Sequence, residues 1–281
     1  MAGLFSAGVL TSFLKDEKIH DKFDAIYASS AGTFCGAHFL TNQPENSSVF
    51  YDDLTHDFII TKNVLPGVYD RFINRFFREL PVNKIRNVID IDYVIKILTT
   101  SKKLDLNKLT SQHIPLYLHI FDTEEMKLSF QDMAHDSEPL EVIKLAVTAV
   151  PYVFPRNMRY IDGAIESSFP YSELRKRHPN AEIVAVINIL PLKFIRRFIK
   201  GCLEASVTAL IYPLKICKLY ISRDYISRKE LKLSREDKKV FMITPPRGLK
   251  IWPNTVNKNK LLDIYKVGQD IGAEFWYKHL K

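Results

Sequence analysis

A chain of 281 residues, 46% hydrophobic and 26% charged, has the composition of an ordinary globular protein. Fourteen prolines and ten glycines exclude a long low-complexity tail. Three scattered cysteines (Cys35, Cys202, Cys217) exclude a disulfide framework or a structural zinc site and fit a reducing compartment. The net charge of +8 is concentrated in Leu192–Lys239, where 13 Lys and Arg stand against 5 Asp and Glu; a solvated helical face is the simpler account, and an anionic partner the functional one.

The first residues, MAGLFSAGVLTSFL, lack the basic segment that precedes the apolar core of a secretory signal. No run approaches 18 uninterrupted apolar residues. A cytoplasmic or peripheral-membrane location is therefore expected, with export by a non-classical route left open.

Residues 4 to 18 read as a helix, with Phe5 and Val9 paired at i,i+4 and Leu10, Phe13 and Leu14 on a shared face. A short apolar strand at Phe23–Tyr27 runs into five small residues, Ala28-Ser29-Ser30-Ala31-Gly32, and then a helix carrying Phe34, Ala37, Phe39 and Leu40. Residues 41 to 63 are polar and mixed. Residues 66 to 100 read as mainly helical, with Tyr69, Phe72 and Phe76 on one face and Arg71, Arg75 and Arg78 on another; such an aromatic stripe is core more often than membrane interface. Asp90 and Asp92 suit a turn or helix start and are too few for a metal site.

Leu116–Phe121 is a strand, turning at Asp122–Glu125 into a second strand near Lys127–Phe130. Glu141–Val150 is a mostly apolar helix stopped by Pro151. Arg159–Ala164 is a short strand ending in Asp162-Gly163. A helix is expected over Ser168–His178, fully buried strands at Glu182–Ile189 and Val240–Thr244, helices over 193–233 interrupted at Pro213, and a last helix at Asn259–Leu280 with Ile264, Val267, Ile271 and Phe275 on one face. Strands alternating with helices argue a three-layer α/β/α domain with a largely parallel sheet, spanning 1–281 as one unit.

The small-residue stretch is a strand-to-helix turn of the G-x-S-x-G kind, with Ala28 in place of the first glycine. Side chains would collide at so sharp a bend, and a serine at its apex, Ser30 by register, projects above a helix N-terminus that favours negative charge. Such a serine needs a base. A histidine after the last strand would supply a triad, yet only His279 lies there, within a helical pattern, and His178 precedes two predicted strands. The alternative is a carboxylate taking the serine proton directly. Asp162 is the best candidate: it ends a strand that would hold it rigidly, and Gly163 and Ala164 leave it uncovered, although Asp-Gly in isolation reads as a hairpin turn.

Together these segments resemble the bacterial patatin-like phospholipases, serine acyl hydrolases with a Ser–Asp dyad. LFSAGVLTSFL is similar to the family's first helix, FDAIYASSAG to its strand and elbow, AVTAVPYVFP to the segment before the catalytic aspartate, and YIDGAIESSFP to its Asp-Gly-Gly/Ala motif. The likeness runs from Ala2 to about Tyr277. It implies Ser30 as nucleophile and Asp162 as general base, supported by Gly3, Ala31, Gly32 and Gly163, with no metal and no organic cofactor. It also implies a phospholipid or related acyl-ester substrate.

The resemblance further implies an apolar strand and a G-G-G-x-R-G loop ahead of the first helix, whose amides form the oxyanion hole. Here Gly3 matches the last glycine, Ala2 stands where the arginine would be, and Met1 fits the x. Loss of one oxyanion donor lowers rates roughly 10²–10³-fold, and loss of the strand would bare the sheet edge beside Phe23–Tyr27. Two explanations stand: a start roughly 10 to 20 residues further upstream, or a member that keeps the fold as a non-catalytic lipid-surface or protein-binding module. The basic tract, through Arg196, Arg197 and Lys200, is expected to meet an anionic membrane. It carries no nucleic-acid motif or stacking platform.

Overall fold

The computed structural model describes residues 3–55, 70, 87–133, 136–155, 157–188, 194–246, 248–249 and 255–281. The expected stripe of Tyr69, Phe72, Phe76, Arg71, Arg75 and Arg78 lies outside them, as do Met1 and Ala2. The chain is an α/β fold. Helix α1 (Leu4–Phe13) is followed by β1 (Ile26–Ala28) and α2 (Gly32–Leu40); then come α3 (Ile91–Thr99), α4 (Leu106–Thr110), the hairpin β2 (Leu116–Asp122) and β3 (Lys127–Asp132), and α5 (Pro139–Ala146). The rest is β4 (Tyr160–Asp162), α6 (Tyr171–Arg177), β5 (Ile183–Val186), α7 (Phe194–Thr208), α8 (Leu214–Glu236), β6 (Val240–Ile243) and α9 (Lys258–His279).

Strands joined through helices pair in parallel, β1 with β2 and β5 with β6, while β3 and β4 add antiparallel partners to β2. Helices cover both faces. On one face a Cβ at Gly36 of α2 would sit 3.1 Å from Leu116 and 3.6 Å from Ala28 and Ile26. On the other face Tyr27 and Phe130 pack with Phe169, Leu174 and Leu231 from the α6 and α8 region. That second cluster also takes Ala185, Val240 and Met242, so it ties the β5–β6 pair to the β1–β2 sheet through side chains.

Three expectations shift. Helix α1 stops at Phe13. Soon after it, Asp16 accepts the Lys18 amide at 3.0 Å and the Trp276 indole at 3.1 Å; a carboxylate engaged this way shapes a turn, not a further helical turn. The elbow strand is Ile26–Ala28, displaced toward the small residues. Strands β5 and β6 are half-buried, not fully buried. Among the described residues they pair only with each other, and a two-stranded sheet leaves each strand one open edge. Among the described residues β1 likewise pairs with β2 alone.

Helix α1 is buried on nearly all sides, from Leu4 through Val9 and again at Ser12 and Phe13. It reaches α9 backbone to backbone. A Cβ on Gly8 would run into the Tyr265 carbonyl, one on Gly268 into the Phe5 carbonyl, and one on Gly272 would lie 2.8 Å from the Val9 Cα. The buried face of α9 is therefore Leu261, Ile264, Gly268 and Gly272. The expected Val267, Ile271 and Phe275 flank it as partly buried side chains.

Candidate active site

The site is made by the register of two strands on one edge of β2. Strand β3 occupies the other edge from Tyr117 to Asp122. On the near edge β1 pairs Ile26–Ala28 with Leu116–Leu118, and β4 pairs Asp162 with Ile120 while running the opposite way. The two strands thus run toward each other and end on either side of His119. The elbow with Ser30 comes directly after Ala28, and Asp162 is the last residue of β4. Residues 132 positions apart meet because both strands read the same edge of one strand.

At this junction Ser30 has φ of +50°, in the left-handed region that disfavours any residue with a Cβ. The Ser29 carbonyl accepts the Gly32 amide at 2.9 Å and the Ser30 carbonyl accepts the Thr33 amide at 3.0 Å, so α2 begins within the turn. No side chain caps that helix, which leaves its positive dipole end toward the serine. Backbone strain held at such a point is a mark of a functional turn.

Asp162 is 5% exposed. One carboxylate oxygen accepts the Ala164 amide at 2.9 Å, and the Ser30 side chain lies close enough to act on the carboxylate. Burial pushes its pKa up to about 6; the Ala164 amide, the Ser30 hydroxyl and the charge of Arg223 each pull the other way. The expectation that Gly163 and Ala164 leave this carboxylate uncovered is therefore corrected. Gly163 serves close approach: a Cβ there would stand 2.8 Å from the His119 Cβ and 2.9 Å from its carbonyl carbon. Any larger residue would push β4 off β2 and carry Asp162 away from Ser30.

Gly3 also belongs to this corner. A Cβ on it would stand 2.8 Å from the Phe50 ring and 3.2 Å from the Ala31 Cβ, so the start of α1 lies against the elbow. Its carbonyl accepts the Ser6 hydroxyl at 3.0 Å and the Ala7 amide at 2.9 Å. The Ser6 amide donates to Asn188 Oδ1 at 2.9 Å, which pins α1 to the end of β5; nothing in the local sequence around Asn188 signals this. At Gly32 a Cβ would meet nothing within 4 Å, so the collision argument fails there: glycine leaves open space beside the serine.

Among the described residues no histidine is hydrogen-bonded to Ser30 or Asp162. His178 bonds the Tyr27 hydroxyl at 2.7 Å, and His279 packs on Phe275 and Phe241. His119, unremarked in the sequence, is buried edge-on to Phe130; burial holds its pKa near 3 and neither ring nitrogen has a partner. Cys35 is buried with its thiol pushed up to about 12, an inert packing residue. Among the described residues no group of three His, Cys, Asp or Glu is placed to hold a metal ion.

Behind Asp162 stands α8. The Tyr220 hydroxyl donates to the Val150 carbonyl, two residues beyond Thr148, whose own carbonyl accepts the Asp162 amide at 3.1 Å. Arg223, whose charge acts on Asp162, is ion-paired with buried Glu204 at 2.7 Å, and Glu204 accepts the Tyr152 hydroxyl at 2.7 Å. In the sequence Tyr220, Arg223 and Glu204 fall within the basic tract Leu192–Lys239 and carry no signal of this role. The side chains of Arg196 and Arg197 lie outside the described residues, and Lys200 is 3.6 Å from Glu204.

A family model described as patatin-like phospholipase matches residues 1–175, which include the elbow and Asp162. A search of curated proteins finds no match.

Proposed function

The chain belongs to the patatin-like phospholipase family, a family of lipid acyl hydrolases, and from that premise we propose that it cleaves carboxylic esters of phospholipids or related lipids through a Ser30–Asp162 dyad. The observation carrying this is the meeting of Ser30, held at a left-handed elbow after β1, with a buried Asp162 carboxylate at the end of β4 on the same edge of β2. Asp162 takes the Ser30 proton as Oγ adds to the ester carbonyl. The oxyanion is stabilised by the Ala31 amide at the positive end of α2, with Gly32 leaving open space and Gly3 beside it. Collapse expels the alcohol, which takes the proton from Asp162, and leaves an acyl-enzyme. Water then loses a proton to Asp162 and adds to the acyl carbon, releasing the fatty acid and restoring Ser30. A carboxylate of ordinary pKa is a weak base at neutral pH; burial that raises Asp162 to about 6 improves it while leaving it mostly ionised at pH 7.

The substrate is presented at an anionic membrane, with Arg196, Arg197 and Lys200 among the contacts. One domain over 1–281 carries both parts: α9, from the C-terminal side, packs against α1 at the start of the matched region.

The test is hydrolysis of a short-chain nitrophenyl ester. Ser30→Ala and Asp162→Asn should each lower kcat/KM by roughly 10³-fold or more. For the wild type, kcat/KM should rise with pH through a midpoint near 6 as Asp162 ionises. Activity of the wild type equal to that of Ser30→Ala would defeat the proposal in favour of a non-catalytic module.

A further inference from the structure

On α7 and α8 the charges are sorted by side. Up to Leu231 these helices carry three acids, and all three are buried and engaged: Glu204 by Arg223, Asp224 by Arg228 at 2.9 Å, and Glu230 by the Ser172 amide and hydroxyl at 2.6 and 2.9 Å. The lysines go outward: Lys215, Lys218 and Lys229 are exposed. Up to Leu231 the positive charge is therefore presented on the outer surface with the acids withdrawn; the exposed acid of α8, Glu236, stands at its far end, away from the hairpin tip.

The same surface carries large apolar side chains. On α8, Leu214 at the hairpin tip is 72% exposed, Ile221 43% and Tyr225 72%; spaced seven and four apart, they share a stripe with Lys218 between. On α7, Ile199 and Leu203, one turn apart, are 55% and 64% exposed and point away from Gly201, the residue that packs on α8. An isolated exposed leucine needs no explanation, but five such residues on one hairpin interleaved with lysines do.

We propose that the outer surface of the α7–α8 hairpin docks on an anionic lipid bilayer, with these apolar side chains entering the headgroup boundary and the lysines meeting lipid phosphates and carboxylates. The choice of a bilayer rests on the lipid-hydrolase reading above. It also rests on complementarity: the hairpin surface up to Leu231, whose three acids are buried, would repel a second copy of itself, whereas a basic amphipathic face suits an anionic interface. Through Tyr220 on Val150 and Arg223 near Asp162, the docked helix would bear directly on the segment that holds the carboxylate.

The full chain carrying Ser30→Ala, which cannot turn lipid over, is mixed with vesicles of phosphatidylcholine alone or with 30% phosphatidylserine, and bound protein is measured by flotation. Binding should favour the phosphatidylserine vesicles. Leu203→Ser, Leu214→Ser and Tyr225→Ser combined should lower the partition coefficient at least tenfold, and Lys215→Gln and Lys218→Gln about fivefold each, with unchanged circular dichroism and thermal midpoint. Equal binding by the apolar variant, or no vesicle binding by the parent, would overturn the proposal. So would a self-association lost in the same variant without vesicle binding, which would assign the surface to a second copy. Soluble-ester hydrolysis by the Ser30 protein reads the dyad separately: hydrolysis without vesicle binding removes this surface alone, and vesicle binding without hydrolysis removes the dyad alone.

Discussion

Two helix pairs flank this site, and both use glycine to bring backbones together. In α1–α9, Gly8, Gly268 and Gly272 lie at the contact, and the apolar side chains around them are turned into the core. In α7–α8, Gly201 lies at the contact, 2.7 Å from the Tyr220 carbonyl if given a Cβ, yet Leu203, Leu214 and Tyr225 face outward. Close approach therefore does not dictate burial. The first pair spends its apolar surface on folding, and most helix stability arises from such packing. The second keeps a large apolar surface in solvent, which adds nothing to folding and is available for binding.

Substitutions should separate the two pairs by size of effect. Gly268→Leu forces a branched side chain into the Phe5 carbonyl, where neither backbone can yield without parting the helices. A loss of about 3 kcal/mol or more is expected in urea unfolding; a loss below about 1 kcal/mol would mean that α1 and α9 separate easily and the contrast is wrong.

An intermediate effect is expected at Asp162. Its raised pKa means that the folded chain binds a proton the unfolded chain, near 3.8, has already lost. The contribution is present below pH 4, declines as pH rises through about 6, and is flat above. Asp162→Asn should therefore stabilise the protein at pH 8 by roughly 1–3 kcal/mol while abolishing activity, and should leave stability at pH 4 nearly unchanged. Equal thermal midpoints for the two proteins at pH 8 would show that the carboxylate carries no burial penalty.

Replacing the Glu204–Arg223 pair by Glu204→Gln with Arg223→Gln avoids leaving one buried charge unpaired. With the Arg223 charge gone, the acid limb of kcat/KM should move above its midpoint near 6. An unmoved limb would disconnect α8 from the site. The smallest effect belongs to the outward face: Leu203→Ser should change unfolding free energy by less than about 0.5 kcal/mol, and a larger loss would show that this leucine is packed after all.

Much of the site was legible from the residues. Five small residues between an apolar strand and a helix announce a sharp turn, although the structure leaves room for a side chain at Gly32; the bend places Ser30 at +50°. Asp162 was legible as a strand end before glycine. The reason for that glycine was not, since it concerns a strand far earlier in the chain: Gly163 is small because His119 lies against it. Neither was the burial of Asp162, nor the reach of Arg223, which stands among residues that read only as a basic tract. Helical periodicity marks Leu214, Ile221 and Tyr225 as one stripe but cannot say which way the stripe faces. In α9, Gly268 and Gly272 carried no apolar signal and proved to be the centre of the buried face.

The sequence by itself determined the α/β alternation, the elbow and its serine, the carboxylate at a strand end, the break at Pro213 and the surplus of positive charge. These are properties of neighbouring residues, set by sterics and by formal charge. Only the tertiary structure decided that β1 and β4 run head-on along one edge of β2, that Asp162 is buried, and that Glu204, Asp224 and Glu230 turn inward while Lys215, Lys218, Lys229 and several large apolar side chains turn out. Pairing register and burial depend on segments distant in the chain arriving at one place, and no local pattern encodes that arrival.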